Sequence, residues 1–377
     1  MSGDGPGDRT RAARLAGELR ERELDALLVA APINVRYLTG FTGSNGLALV
    51  RADQESIGPR APSARGVFFT DFRYRTQSAE QVTEEFAREI VVGSLLDAAA
   101  QALEGATGTL GFDEANLTVA QHERLCAALP SGWELAPSAG AVERLRAVKD
   151  EHELQRLRAA AKLADEALTG VLEAGLVGRS ERDVAIELEL RMRKLGAEAP
   201  SFSSIVAAGA HGALPHAQPR EVAIPRDVLV TIDWGAQLDG YCSDCTRTYA
   251  TGASISERAR EVYELVLAAQ EAGVAALTAG PTGRDVDAVA REVIERAGEG
   301  EHFGHGLGHG VGMEVHEAPR LARTEGEQPL VAGNVVTVEP GVYLSGELGV
   351  RIEDLLAVRE SGHEVLNGLG KALTVIS

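Results

Sequence analysis

The sequence predicts two domains: an α/β amino-terminal domain over 1–142, and an α+β carboxy-terminal domain over 143–377 built on a pseudo-twofold α-α-β-β repeat. Three observations lead there. A chain of 377 residues exceeds what one hydrophobic core ordinarily organises. Its amino-terminal part alternates helical periodicity with short apolar runs, the pattern of a layered α/β sheet. In the remainder, Gly178-Arg-Ser-Glu-Arg-Asp-Val184 is echoed by Gly280-Pro-Thr-Gly-Arg-Asp-Val286 with Gly, a hydroxyl, Arg, Asp and Val in register. Each copy follows a longer helical stretch and precedes another helix, as two repeated units require.

Taken in order, Arg9 to Leu24 has the spaced leucines of an amphipathic helix, and Ala26 to Ala30 reads as a buried strand ended by Pro32. Apolar strand-like runs recur at Leu47–Val50, Val67–Thr70, Ile90–Val92 and Thr109–Phe112, with a helix at Val119–Leu129. Ser56 to Gly66, rich in Gly, Pro, Ser and Arg, reads as a surface loop, and Met1 to Asp8 as a disordered tail. The character changes near Arg144. One long helix is predicted over Lys149–Ala174, and Ser180 caps a second that runs to about Leu195. Strands follow within Val228–Ala250, helices at Ser256–Leu277 and Asp285–Ala297, and strands at Val335–Glu339 and Val350–Val358.

Composition excludes several classes of function. Hydrophobic content of 44% with 25% charged residues is that of a soluble globular protein. No apolar run approaches the roughly 18 residues that span a bilayer, and no membrane association is expected. The first residues have neither a basic flank nor an apolar stretch, so no secretory signal is expected, and three cysteines fit a reducing cytoplasm. The net charge of −19 repels phosphate backbones, which argues against nucleic acid as a partner and leaves room for bound cations. No dinucleotide or phosphate-binding glycine motif is present. Cys242 and Cys245 flank Asp244 as a C-x-x-C, but on a strand they face opposite ways and no second pair exists.

Chemistry concentrates at a few positions. His305 to His316 places three histidines among four glycines: imidazole binds first-row metals and moves protons, and glycine lets the backbone bend closely around a site. Asp233 lies in the apolar strand Val-Leu-Val-Thr-Ile-Asp-Trp-Gly, and Asp244 follows the turn signal Asp239-Gly240. A hairpin centred at Leu238–Asp239 would set the two carboxylates opposite each other, at the roughly 4.5–5.5 Å expected of facing Cβ atoms. Glu339 and Glu353 form a second such pair on apolar strands. Carboxylates that close repel unless a proton or cation lies between them. Four carboxylates and one imidazole balance two divalent cations, and oxygen-rich ligation suits manganese, cobalt or zinc. Two such ions can hold and ionise a bridging water and polarise a carbonyl, which implies hydrolysis of an amide or ester.

Asp233, Asp244, His309, Glu339 and Glu353 resemble, in order and spacing, the five metal ligands of the pita-bread metallopeptidases. Their contexts Ile-Asp-Trp-Gly, Ser-Asp-Cys-Thr-Arg-Thr, His-Gly-Leu-Gly-His, Thr-Val-Glu-Pro-Gly and Arg-Ile-Glu-Asp are similar too. Pro215-His216, Val315-His316-Glu and Asn34-Val-Arg-Tyr-Leu-Thr-Gly-Phe-Thr-Gly-Ser44 resemble the proline-specific branch, aminopeptidase P and prolidase. The resemblance implies a two-metal exopeptidase, manganese being the first choice of ion, acting on peptides with proline second, and a homodimer. His216 and His316 would contact the scissile carbonyl, and Glu339 would also shuttle a proton. Arg351, two residues before Glu353, would steady the carboxylates or substrate. Arg320 falls where prolidases hold the proline carboxylate, and His305 would support the loop. His211 and His302 read as polar loop residues, and Trp234 and Tyr241 as packing. Creatinase, which works without metal, and non-catalytic binding modules of the same fold are disfavoured by the five intact ligands.

Overall fold

The structure, a computed structural model, describes residues 10–53, 64–324 and 328–377. The predicted tail Met1–Asp8 and the loop predicted from Ser56, as far as residue 63, lie outside the described residues. The chain divides into two compact units, Met1–Arg146 and Ala147–Ser377.

The first unit is a mixed six-stranded sheet flanked by helices. Its strands are β1 (Ala26–Val29), β2 (Gly46–Arg51), β3 (Gly66–Asp71), β4 (Phe86–Val91), β5 (Gly108–Phe112) and β6 (Trp133–Pro137), in the order β4-β3-β2-β1-β5-β6. Its helices are α1 (Arg11–Glu21), α2 (Pro32–Thr39), α3 (Arg75–Gln81), α4 (Leu95–Gln101), α5 (Val119–Ala128) and α6 (Ala141–Ala147). Leu28, Leu49, Phe69 and Leu103 are at the centre of its core. Five elements of this unit had not been individually assigned, β6 and the helices α2, α3, α4 and α6. Pro32 ends β1 but also opens α2 at its first turn, where its fixed φ suits a helix and its missing N–H costs nothing.

The second unit carries the repeat. Helices α7 (Glu151–Glu173) and α8 (Glu181–Lys194) precede β7 (Ala199–Pro200), β8 (Ile205–Ala208), β9 (Leu229–Trp234), β10 (Ala236–Leu238), β11 (Tyr241–Cys242) and β12 (Cys245–Ala250). Helices α9 (Glu257–Ala276) and α10 (Gly283–Arg296) precede β13 (Gly308–Gly310), β14 (Glu317–Leu321), β15 (Val335–Val338), β16 (Gly341–Leu344), β17 (Leu348–Arg351), β18 (Asp354–Val358) and β19 (His363–Val365). The hydroxyl of the repeated motif is a helix cap in both copies: Ser180 accepts from Asp183 N–H and Thr282 from Asp285 N–H. Each helix pair buries its apolar face on its own antiparallel sheet. Leu168 and Leu188 pack with Val206, Ile232 and Trp234 in one core; Val266, Val286 and Ile294 pack with Val336 and Leu356 in the other.

Two details of register differ from expectation, and both bear on the site. Asp239 and Gly240 have φ of 50° and 80°, so they are the central pair of a primed hairpin turn, and Leu238 faces Tyr241. The ladder therefore sets Thr246, not Asp244, opposite Asp233. Asp244 precedes Thr246 by two residues and approaches Asp233 diagonally. The single strand predicted over Val350–Val358 is broken at Ile352–Glu353. Arg351 pairs with Gly341 on β16, whereas Asp354 pairs with Val338 on β15. At the switch Glu353 N–H donates to Thr246 O at 3.0 Å, which draws the residue towards β12.

Candidate active site

The two sheets bring the predicted carboxylates to the floor of one cleft of about 970 Å³, at the upper end of ordinary ligand pockets. Asp233, Asp244, His309, Glu339 and Glu353 all line it, with His216, His305, His316, Arg320 and Arg351. Ligand atoms of Asp244, His309 and Glu353 lie within 4.8 Å of one another. His309 Nε2 is 3.6 Å from Asp244 and 3.2 Å from Glu339. Its Nδ1 lies 3.1 Å from Gly310 O, and donating there leaves Nε2 as the atom turned to the carboxylates.

Hydroxyls aim the acids. Thr246 Oγ1 donates to Glu353 at 2.7 Å and Thr337 Oγ1 donates to Glu339 at 3.0 Å. Neither threonine was singled out in the sequence. The signal was there: each lies two residues from an acid on a strand, hence on its face. Arg351 reaches Asp233 at 2.6 Å, Tyr343 Oη at 3.0 Å and Pro215 O at 3.1 Å. Arg351 ends β17, whereas Glu353 lies in the break between β17 and β18. Tyr343, unremarkable in sequence, also meets His305 Nε2 at 2.9 Å. His305 has its other nitrogen 2.8 Å from Gly306 O, so both of its ring nitrogens face protein partners.

The remaining residues fall into two groups. His316 lies against His309 with ring centroids 4.2 Å apart and planes inclined at 57°, His216 is exposed on the rim, and Arg320 sits opposite His309 in the β13–β14 ladder. Trp234 and Tyr241 are buried away from the cleft, bonded to Ala164 O and Glu153 respectively. Cys242 and Cys245 are buried free thiols facing different backbone carbonyls. His211 is not a plain loop residue: its Nδ1 lies 2.9 Å from the buried carboxylate of Glu181.

Electrostatics argue that this donor set is incomplete without cations. Burial, followed by the neighbouring carboxylates, pushes the carboxyls of Asp244 and Glu353 well above the ordinary range, and burial raises Asp233. Burial works to raise Glu339 as well, but the hydrogen bond and charge of His309, together with the charges of His305 and Arg351, outweigh it and hold the group at about 2 in the metal-free site. Asp233 Oδ1 is buried and accepts no hydrogen bond. Buried carboxylates pressed together, one with an orphan oxygen, beside an imidazole whose Nε2 faces them, fit divalent metals. A pH dependence follows. Because the metal-free site holds Asp244 and Glu353 protonated above their ordinary pKa, metal must displace those protons, so affinity rises with pH. Titration calorimetry in buffers of different ionisation enthalpy should show proton release at pH 6; pH-independent affinity without release would contradict it.

The comparisons agree with the geometry. Residues 155–360 match the model of metallopeptidase family M24, and residues 11–148 that of the creatinase/prolidase N-terminal domain. The uncharacterized peptidase YqhT of Bacillus subtilis is 41% identical, covering 94% of this chain and 96% of its own length. The Xaa-Pro dipeptidase of Pyrococcus furiosus is 35% identical over 93% of this chain and 96% of its own. Among solved structures, the Xaa-Pro dipeptidase from Bacillus anthracis superposes with a TM-score of 0.88 at 38% identity, covering 97% and 99% of the two chains. The X-Pro aminopeptidase from Thermotoga maritima does so at 0.86 and 33%, over 97% and 100%. The chain is therefore a metallopeptidase of family M24, with the pita-bread fold and a creatinase/prolidase amino-terminal domain.

Proposed function

We propose that the protein is a dinuclear-metal exopeptidase that hydrolyses the Xaa-Pro bond at the amino terminus of peptides. The observation that carries this reading is the convergence of four carboxylates and His309 beneath two rim histidines in one cleft. Asp233, Asp244, His309, Glu339 and Glu353 would hold two divalent ions, manganese foremost given the oxygen-rich set. Such ions, when bound, supply Lewis acidity and lower the pKa of water.

The chain's own groups do the rest. Burial and the nearby His309 lower the pKa of His316, so at neutral pH its imidazole is uncharged and can donate one hydrogen bond to a scissile carbonyl. His216, on the segment after β8, lines the same cleft. Glu339, oriented by the hydroxyl of Thr337, is the base that takes a proton and returns it to the leaving proline nitrogen. Like any amide nitrogen, it must gain a proton to depart as an amine when the C–N bond breaks. Arg351 keeps Asp233 in place.

Proline dipeptides are the second reading, favoured by Arg320 at the cleft and by the names of the dipeptidase relatives. Manganese-loaded protein should release the first residue from Xaa-Pro-Xaa peptides, and chelation should stop it. Activity on Xaa-Ala with none on Xaa-Pro would reject the specificity. Under the dipeptide reading, Arg320→Ala raises KM for Xaa-Pro and leaves Xaa-Pro-Xaa unchanged. A homodimer and a cytoplasmic location belong to the same proposal; sedimentation of the purified chain tests the first. Among the described residues no helix is long and apolar enough to cross a membrane.

A further inference from the structure

Glu181 opens α8, is fully buried, and lies outside the cluster of carboxylates. Its carboxylate gathers the two ends of one excursion of the chain. Oε1 accepts Ala208 N–H at 2.9 Å, where β8 ends, and Oε2 accepts Arg220 N–H at 3.0 Å. The Arg220 guanidinium adds two contacts at 3.1 Å, and His211 Nδ1 packs 2.9 Å from Oε2. Burial disfavours the ionised carboxylate, but Arg220 and the two amides outweigh it and keep the group below the ordinary glutamate range. Between these anchors runs the segment that presents His216 to the cleft. Its middle rests on backbone, since a Cβ added to Gly349 would fall 1.8 Å from Gly212 O, and its Pro215 O receives Arg351.

The other half of the repeat contains a comparable device. Buried Asp287 on α10 accepts Leu307 N–H at 2.9 Å and holds Arg291, whose guanidinium donates to Phe303 O and His305 O at 2.9 and 2.7 Å. In both halves the second helix uses one buried acid to clamp the stretch that leads to an imidazole of the cleft.

We propose that Glu181 is a positioning residue for His216, acting through the ends of the 208–220 segment. The inference rests on His216 being a substrate-side residue. A carboxylate satisfies amide and guanidinium donors together; a glutamine places an NH₂ among them and lets the segment shift. Small displacements of a reacting group are costly in rate, on the order of a hundredfold for about 1 Å.

The test is a double-mutant cycle on the manganese-loaded enzyme with an Xaa-Pro-Xaa peptide. Glu181→Gln should lower kcat about tenfold with KM and metal content unchanged, and should add nothing in a His216→Ala background. Glu181→Asp should recover part of the loss. Arg220→Ala, whose side chain is half-exposed and spares the fold, should give a smaller loss that also vanishes in His216→Ala. Amide exchange should quicken at Ala208 and Arg220 in Glu181→Gln and stay unchanged around Glu353. Losses that multiply with His216→Ala, or that track a fall in metal content or folded fraction, overturn the proposal. Full activity in His216→Ala alone rejects the substrate-side reading instead, and with it the basis for the clamp.

Discussion

Asp244→Asn should abolish peptidase activity, by more than about a thousandfold, while making the metal-free protein more stable. A thousandfold loss corresponds to about 4 kcal/mol of transition-state stabilisation. Asparagine keeps the shape of the side chain but removes one of four negative charges that would balance two divalent cations. Metal content at a fixed concentration should fall with activity. The opposite effect on stability comes from the same electrostatics. In the absence of metal, burial and the charges of Glu353, Asp233 and Glu339 disfavour the ionised form of Asp244, so its folded pKa lies well above the unfolded one. A group raised in this way contributes stability below its unfolded pKa and loses it as pH rises through the folded value. An amide at 244 has no such loss, so in chelator at pH 8 the variant should melt above the parent. Glu353→Gln should behave alike, since the amide oxygen can still accept from Thr246. Full rate with full metal content in either variant would show that these residues are not ligands, and a lower melting point in chelator would show that the acids are not crowded.

Arg291→Leu should destabilise the protein by about 3–5 kcal/mol, the usual cost of removing one partner from a buried ion pair. The pair is bidentate, at 2.7 and 2.8 Å, with the Asp287 side chain fully enclosed and that of Arg291 only 7% exposed. Losing the guanidinium leaves a buried charge and frees the carbonyls of Phe303 and His305. Arg291→Lys should recover little, because an ammonium cannot span both carboxylate oxygens and two carbonyls. Adding Asp287→Asn should restore part of the stability by removing the stranded charge, although Leu307 N–H still needs an acceptor. Denaturant midpoints of the four proteins measure this; a change below about 1 kcal/mol in Arg291→Leu would mean the site relaxes around the loss.

Much of this molecule was legible in its sequence because its signals are local. Apolar periodicity located most of the helices and strands, and the repeated motif marked the starts of two helices, which the structure caps with Ser180 and Thr282. Residue chemistry singled out the carboxylates and histidines before any of them could be placed in space, and all of them line one cleft. What stayed hidden depended on register and on partners far along the chain. The hairpin turn at Asp239–Gly240 shifted the pairing so that Thr246 faces Asp233, and a change of strand partner at Ile352–Glu353 was invisible in an unbroken apolar run. Tyr343 joins His305 to Arg351, and Glu181 meets His211, only because strands and helices distant in sequence pack together. The sequence by itself determined which side chains could carry the chemistry, since composition and period are properties of neighbours along the chain. Tertiary structure alone decided which hydrogen bonds aim them, because a two-residue offset in a ladder or a single switch of partner changes what each acid faces while leaving the local pattern intact.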